Sequence, residues 1–432
     1  MKLGLISLGC AKNLVDSEMI LSLFKRNDFE IVNDEKEADV ILINTCGFID
    51  ASKQESIDTI IEMSKLNKIL VVTGCLVERY KEELKKELPE VDLFISIKEY
   101  PIFGELLEKV IQNKKIQGCL DLSKRVLSTR PYTAYLKISE GCNNCCSYCA
   151  IPLIRGSFKS IDKYDLIKQA NILREQGIKE LVVISQDTTK YGEDIKDYDT
   201  DIVDLLKYLL EIKEFKFIRL LYLYPNEITD ELIDLIGKEP RLTPYFDIPI
   251  QHSSDHMLRE MNRHGDKKLL INLFKRIKER VPNAILRTTL IVGFPGESEE
   301  DFEDLKDFVK KTQFTHLGAF TYSREEGTKS YDFDNQIPEE IKEKRYKEIM
   351  EIQSRISLRK NKLEIGRVHK GLVIDYDVEE DLYLLRSYWN APDDIDGSIY
   401  FSSDKPLEEG SEVEVIIEDC DNYNLYGKLL EK

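Results

Sequence analysis

What most constrains this chain is an alternation, kept up over most of its length, of short continuous apolar runs with amphipathic stretches of helical period. LGLIS (3–7), DVILIN (39–44) and ILVVTG (69–74) are apolar on both faces, as strands covered from both sides of a parallel sheet must be. Between them, 17–25 and 52–64 carry helical spacing. Parallel neighbours need a crossover of about a dozen residues, which such helices supply. Residues 1–112 are therefore expected to form an open parallel α/β domain. A basic, weakly patterned stretch, 113–131, ends at Pro131 and reads as a linker.

From 132 to 335 the strand–helix unit repeats. Candidate strands at 134–139, 180–185, 217–223, 245–250, 286–294 and 316–322 are separated by helical stretches at 161–176, 200–213, 227–238, 255–262, 266–280 and 298–312. Six strands of one sense with outer helices predict a partial (β/α)6 barrel, whose chemistry belongs at the C-terminal ends of the strands. A charge-rich helix within 336–365 follows and reads as a solvated connector. Residues 366–432 turn to short alternating runs, which predict a small five-stranded β-barrel of OB-like kind. The fold class is thus α/β, in three parts.

Nine cysteines stand at 10, 46, 75, 119, 142, 145, 146, 149 and 420. An odd number in a chain with no secretion signal argues against a disulfide framework and for metal. Cys142, Cys146 and Cys149 follow directly on the first strand of the repeat, at the reactive edge. Three thiolates on so tight a loop can hold three corners of a 4Fe–4S cube and leave one iron open. An open iron can chelate the amino and carboxylate groups of S-adenosylmethionine and pass one electron to its sulfonium, giving a 5′-deoxyadenosyl radical. The competing reading is structural zinc, which wants four protein ligands; Cys145 adjoins Cys146 and is poorly placed as the fourth. It is expected to be a bystander.

A second set is less obvious. Cys10, Cys46 and Cys75 end three different strands beside Gly9, Gly47 and Gly74. At the carboxyl edge of an open sheet they would converge on one crevice. Each alone would read as a buried core cysteine. Three at equivalent positions predict a second cluster, again with a free iron where a sulfur atom could be held. Cys119 and Cys420 have no partner at useful spacing and are expected to be incidental.

The net charge is −18, and its distribution matters more than its size. Residues 368–432 carry five basic and seventeen acidic side chains, a balance of −12. Such a domain cannot gain affinity by neutralising phosphates, which speaks against nucleic acid as a direct partner. It could steer a Lys/Arg-rich protein. No run reaches the roughly twenty apolar residues of a membrane span. With no signal-peptide cleavage site either, the cytoplasm is the expected compartment.

A three-cysteine N-terminal domain, a CxxxCxxC barrel and a small C-terminal barrel together resemble the radical S-adenosylmethionine (SAM) methylthiotransferases, over essentially the whole chain. SLGCAKNLVDSE (7–18), INTCGFIDASKQESI (43–57), SQDTTKYG (185–192), FDIPIQHSS (246–254), TTLIVGFPGE (288–297) and APDDIDG (391–397) resemble the branch that modifies an aspartate of ribosomal small-subunit protein twelve. The transfer-RNA-modifying branch usually has an Asn-rich stretch where Gln186-Asp187-Thr188-Thr189 stand. That branch, acting on adenosine, is the alternative.

The resemblance implies a radical SAM barrel, a C-terminal TRAM domain and two 4Fe–4S clusters. It also implies two uses of SAM, one as methyl donor and one as radical source, that place a methylthio group on the aspartate β-carbon. An electron donor such as flavodoxin or ferredoxin is implied as well. Tyr148, Gln186, Gly293 and Gly296 are then expected to contact SAM. Asp187 could do so too, or could merely cap the next helix. His252 and His256 read as polar residues near the barrel mouth. Arg155, Arg219 and Arg287, near strand ends, could face the substrate carboxylate. Ile161 departs from the family pattern, which usually has Arg there.

Overall fold

The computed structural model describes residues 1–111, 114–392 and 395–430. Outside the described residues lie Gln112 and Asn113 at the expected first boundary, Asp393 and Asp394 of the APDDIDG stretch, and the last two residues.

Strands β1 (Lys2–Ser7), β2 (Glu30–Val32), β3 (Val40–Thr45), β4 (Ile69–Gly74) and β5 (Leu93–Ile95) form one parallel sheet in the order β2-β1-β3-β4-β5. Helices α1 (Ala11–Arg26), α2 (Asp50–Ser64), α3 (Cys75–Glu87) and α4 (Phe103–Leu107) provide the crossovers and cover. The three apolar runs are the three central strands, and every residue of β3 is buried. Two edge strands, β2 and β5, were not anticipated from the sequence.

The middle of the chain opens with β6 (Thr133–Lys137), a two-residue hairpin pair β7 (Ser139–Glu140) and β8 (Lys159–Ser160), and the short helix α5 (Ile151–Arg155). The other barrel strands are β9 (Glu180–Ile184), β10 (Phe217–Leu220), β11 (Tyr245–Asp247), β12 (Ile285–Val292) and β13 (His316–Thr321). Parallel order β6-β9-β10 continues into β11-β12-β13 through the Ile218 amide on the Arg241 carbonyl (2.7 Å) and the Leu223 amide on the Asp247 carbonyl (2.8 Å). The result is the open (β/α)6 barrel. Helices α6 (Lys163–Glu175), α7 (Ile202–Glu211), α8 (Asp230–Lys238), α9 (Asp255–Glu260), α10 (Lys267–Arg280) and α11 (Glu299–Thr312) ring it. The period-two alternation of the strands splits the packing. Leu136, Val183, Leu220 and Leu290 face the helices, while Tyr135, Val182, Tyr245 and Ile285 face inward. Ile161 packs against the helix-side core.

Helix α12 (Glu339–Lys362) corrects the expectation of a solvated connector. Ile349 and Ile356 are buried in the barrel core, and Gln353 donates to the Phe314 carbonyl at 3.0 Å. Arg345 donates to the Glu297 carbonyl at 2.9 Å. The helix covers the open edge at β13.

The five C-terminal strands, β14 (Val368–Asp377), β15 (Leu382–Ser387), β16 (Ile399–Ser402), β17 (Glu412–Cys420) and β18 (Leu425–Leu429), close into a barrel in the order β14-β15-β16-β18-β17. It plugs the large barrel at the N-terminal ends of the strands. Arg130 pairs with Asp375, the Tyr132 hydroxyl donates to the Ile374 carbonyl (2.8 Å), Arg219 donates to the Ser387 carbonyl (2.7 Å) and the Tyr245 hydroxyl donates to Asp396 (2.6 Å). The N-terminal domain covers the opposite, C-terminal ends. There Asp16 on α1 takes Lys137 and Arg155 at 2.6 Å each, and Glu325 takes Lys53 and Arg79 at 3.0 and 2.8 Å. No helix among the described residues is long and apolar enough to cross a membrane.

Candidate active site between two cysteine sets

The loop after β6 carries Cys142, Cys146 and Cys149 and is fixed from several sides. The Cys142 amide donates to the Gly156 carbonyl (3.2 Å), the Ser147 amide to the Met261 carbonyl (3.0 Å) and the Cys149 amide to the Cys146 carbonyl (3.0 Å). Asn144, buried inside the loop, donates to Asp187 at 2.7 Å. Asp187 also takes the Thr189 hydroxyl at 2.6 Å. It is therefore not a side-chain cap of the following turn; it holds the cysteine loop. Burial raises the Cys142 thiol to about 11, with Asp187 and Cys146 adding and the Asn144 amide opposing. Burial pushes Cys149 up as well. Such thiols ionise when a metal takes the proton's place. The Arg263 guanidinium lies 3.7 Å from the Cys146 sulfur and stacks 4.1 Å above the Tyr224 ring, and no sequence pattern had singled it out.

Cys145 adopts φ +51°, and its side chain is exposed while its carbonyl accepts from Asn262 at 2.8 Å. The residue turns the loop at that point.

The second crevice is built by close backbone approach. A Cβ on Gly9, which has φ +90°, would stand 2.9 Å from Cys46 Cβ and 3.0 Å from its sulfur. A Cβ on Gly47 would stand 2.7 Å from the Leu76 backbone, next to Cys75. Glycine at these points lets the three strand ends close on one another. Cys10 immediately precedes α1, Cys46 follows β3 and Cys75 begins α3. Burial raises Cys75 to about 11, with Cys10 and Cys46 adding and Arg155 opposing. Cys10 is exposed to solvent, and Lys12, the Asn13 amide and Arg155 hold its thiol below its ordinary value.

Helix α5 joins the two sets. Ala150 and Ile154 pack on Cys75, and Arg155 reaches from α5 to the Cys75 sulfur (3.5 Å) and to Asn13. All nine cysteines are free thiols. Among the described residues no three His, Cys, Asp or Glu side chains close on a point as around one metal ion. A cube asks for something else, since each of its protein ligands binds a different iron.

The rim between the sets has the character of a polar-ligand site. Asn144 Oδ1, Gln186 Oε1, Asn226 Oδ1, Gln251 Oε1, His252 Nε2 and Glu297 Oε1 are buried with no hydrogen-bond partner among the described residues, although His252 Nε2 and Glu297 Oε1 face each other at 3.8 Å and Arg345 lies 3.5 Å from Glu297 Oε1. They come one or two each from the loops after β6, β9, β10, β11 and β12. Buried polar atoms are normally satisfied, so a group of them on one rim points to a polar ligand. Backbone strain gathers in the same place: Cys145, Tyr222, Gln251 and Asn262 all have positive φ.

The other expected residues fall as follows. Gln186 donates to Glu140 at 3.1 Å and leaves its oxygen free. Tyr148 meets Phe294 edge-on, 6.5 Å between centroids, in an apolar pocket with Met257, Met261 and Tyr322. At Gly293 the room of the missing side chain is filled by Lys342 of α12, while Gly296 faces open space. The Gly293 and Phe294 amides both donate to the Glu297 carboxylate. His252 Nδ1 accepts from the Ser253 and Ser254 amides at 3.0 Å each, so its proton sits on Nε2. His256 instead pairs with Asp301 at 3.0 Å, and the two histidines share no site. Arg155, Arg219 and Arg287 are already neutralised, by Asp16, by Glu180 and by Asp247 with Asp396. None of them is free for a substrate carboxylate.

Comparison with known proteins agrees with this arrangement. Family models match residues 2–96 as the uncharacterized protein family UPF0004, 136–309 as the radical SAM superfamily and 365–430 as the TRAM domain. The chain is 44% identical to the ribosomal protein uS12 methylthiotransferase RimO of Acetivibrio thermocellus, covering 100% of this chain and 99% of that one. It is 47% identical to the RimO of Caldanaerobacter subterraneus subsp. tengcongensis, over 98% and 99%. In fold it is similar to the radical SAM methyltransferase TsrM of Kitasatospora setae, solved with tryptophan and a SAM analogue. The TM-score is 0.54 at 13% identity, covering 74% of this chain and 72% of TsrM.

Proposed function

The chain belongs to the RimO family of radical SAM methylthiotransferases, and from that membership we propose that it places a methylthio group on the β-carbon of an aspartate in ribosomal protein uS12. The observation that carries this reading is the meeting of two three-cysteine sets, one from each sheet's carboxyl edge, across the short helix α5. Cys142, Cys146 and Cys149 would hold one 4Fe–4S cluster, and Cys10, Cys46 and Cys75 the other. When bound, the first would supply the electron that cleaves SAM and the second would hold the sulfur that is methylated and transferred.

The chain's own residues do the rest. Asp187 and Asn144 keep the radical-site loop in register, and Arg263 sets a positive charge on its middle cysteine. The rim groups of Gln186, Asn226, Gln251 and His252 would take the amino, hydroxyl and carboxylate groups of SAM, with Tyr148 as an apolar wall. The N-terminal domain roofs the rim, tied down by the buried ion pairs of Asp16 and Glu325.

The acidic TRAM barrel would hold the basic uS12. Because it sits at the far end of the large barrel, a bound substrate would have to reach about 26 Å along the flank, the length of an eight-residue strand such as β12. A flavodoxin or ferredoxin would supply electrons, and the cytoplasm fits such partners. The RimO relatives take the place of the transfer-RNA reading that the sequence left open.

Iron and sulfide counts test the two-site core of the proposal. Anaerobically reconstituted protein should hold about eight irons per chain, and a variant with Ala at 142, 146 and 149 about four. Loss of all iron in that variant, or zinc in place of iron in the wild type, would overturn it.

A further inference from the structure

Lys12 lies in the first turn of α1, two residues beyond Cys10. Its side chain is buried, 8% exposed, and crosses from the N-terminal domain to the rim of the large barrel. There the ammonium stands 3.3 Å from the centre of the Tyr222 ring and 3.5 Å from the Ser185 carbonyl oxygen. These partners follow β10 and β9, beside Gln186. Tyr222 is held in a left-handed conformation (φ +62°), a strained state for a bulky residue. Asp247 fixes it by accepting its amide at 2.9 Å. A strained backbone thus presents the ring to the lysine.

The surrounding charges isolate Lys12. Arg155 and Lys137 are matched by Asp16 and Glu140, Arg219 by Glu180, and Arg287 by Asp247 and Asp396. Arg263 lies on the Cys146 sulfur. Among the described residues Lys12 has no carboxylate at ion-pair distance; the acidic group it influences is the Cys10 thiol. Its position is costly twice over. A cation in the first turn opposes the helix dipole, and a buried ammonium with no carboxylate beside it is only partly compensated. One long hydrogen bond and one ring face do not offset that. A carboxylate would.

We propose that Lys12 is the specificity-determining residue for an acidic substrate, its ammonium donating to the side-chain carboxylate of the target aspartate. This rests on the uS12 reading above and sharpens it. A carboxylate between the rim and the three-cysteine crevice satisfies the buried cation, whereas a neutral base such as adenine leaves it unpaired. The arginines that the sequence offered for this task are occupied, and the lysine is in place.

A double-mutant cycle across the complex decides the matter. Binding of uS12 to unreduced holoenzyme is measured by fluorescence anisotropy for wild type and Lys12→Gln, each against uS12 with its target aspartate intact or changed to Asn. Either change alone is expected to weaken binding about tenfold, and both together no more than one. Lys12→Arg should restore the preference for Asp over Asn, and iron content reports that the variants keep their clusters. If Lys12→Gln still prefers Asp by the wild-type factor, the lysine serves Cys10 or the fold and the proposal falls. It falls also if wild type binds both forms of uS12 equally. If wild type neither binds nor modifies uS12, the uS12 reading fails along with it.

Discussion

At Gly9 the backbone holds φ +90° with Cys46 standing where a side chain would go. A side chain there would be strained by its conformation, by about 1–2 kcal/mol, and would push Cys46 out of the crevice. Gly9→Ala is therefore expected to lower stability by at least that amount. In a background with Ala at 142, 146 and 149 it should also strip most of the remaining iron. Full iron retention in that combined variant would contradict the crevice geometry. At this scale the six cysteines could be singled out as candidates, because their type is rare and each set repeats at equivalent positions. The rim residues could not. Asn144, Asn226 and Gln251 are single polar residues at loop starts, which no periodicity marks, and only folding shows that each is buried with its oxygen left without a hydrogen-bond partner. The arginines misled for a related reason: sequence gives a cation's position but not the carboxylate that has already claimed it.

Strands β3, β4 and β9 could be read directly, since they bury both faces and so are nearly continuously apolar. Edge strands β2 and β5 escaped because each has three residues, and β2 has none fully buried. Helix α12 escaped for the opposite reason. Its buried face is narrow, with Ile349 and Ile356 flanked by Lys342, Arg345, Gln353 and Asn361, so charge dominates the pattern while polar groups bond to barrel backbone. The consequence is measurable. Ile349→Ala should cost about 2–5 kcal/mol in chemical denaturation, as for a core position, while Lys347→Ala on the same helix should stay within about 0.5 kcal/mol. Equal, small effects at both would restore the solvated connector.

Taken whole, the molecule is an open barrel closed at three places: the N-terminal domain over the reactive ends, α12 along one edge, and the TRAM barrel beneath. Docking of the TRAM barrel turns on Asp396, which meets Tyr245, Arg287 and His316. Asp396→Asn removes one partner of a buried charge pair and should cost about 3–5 kcal/mol near neutral pH. Burial alone would raise Asp396, but His316, Arg287 and the Tyr245 hydroxyl hold it below its ordinary 3.8, so its contribution is present above that pH and is lost as acid protonates it. His316 is lowered from 6.5 by burial, so below pH 6.5 the unfolded chain takes up a proton that the folded chain refuses, and stability declines with acid. His316→Gln should therefore lose less thermal stability than wild type between about pH 7 and about pH 5. Parallel losses would contradict this docking chemistry.

The whole arrangement converges on one reaction, and the mass of its product is the most direct test. Reconstituted enzyme, uS12, SAM, a sulfide source and a reductant are combined without oxygen, and uS12 is digested and sequenced by mass spectrometry. One methylthio group in place of one hydrogen on a single aspartate is expected. It should be absent when Cys10, Cys46 and Cys75 are replaced by Ala. Unmodified uS12 from wild-type enzyme that nonetheless releases 5′-deoxyadenosine would contradict the assignment.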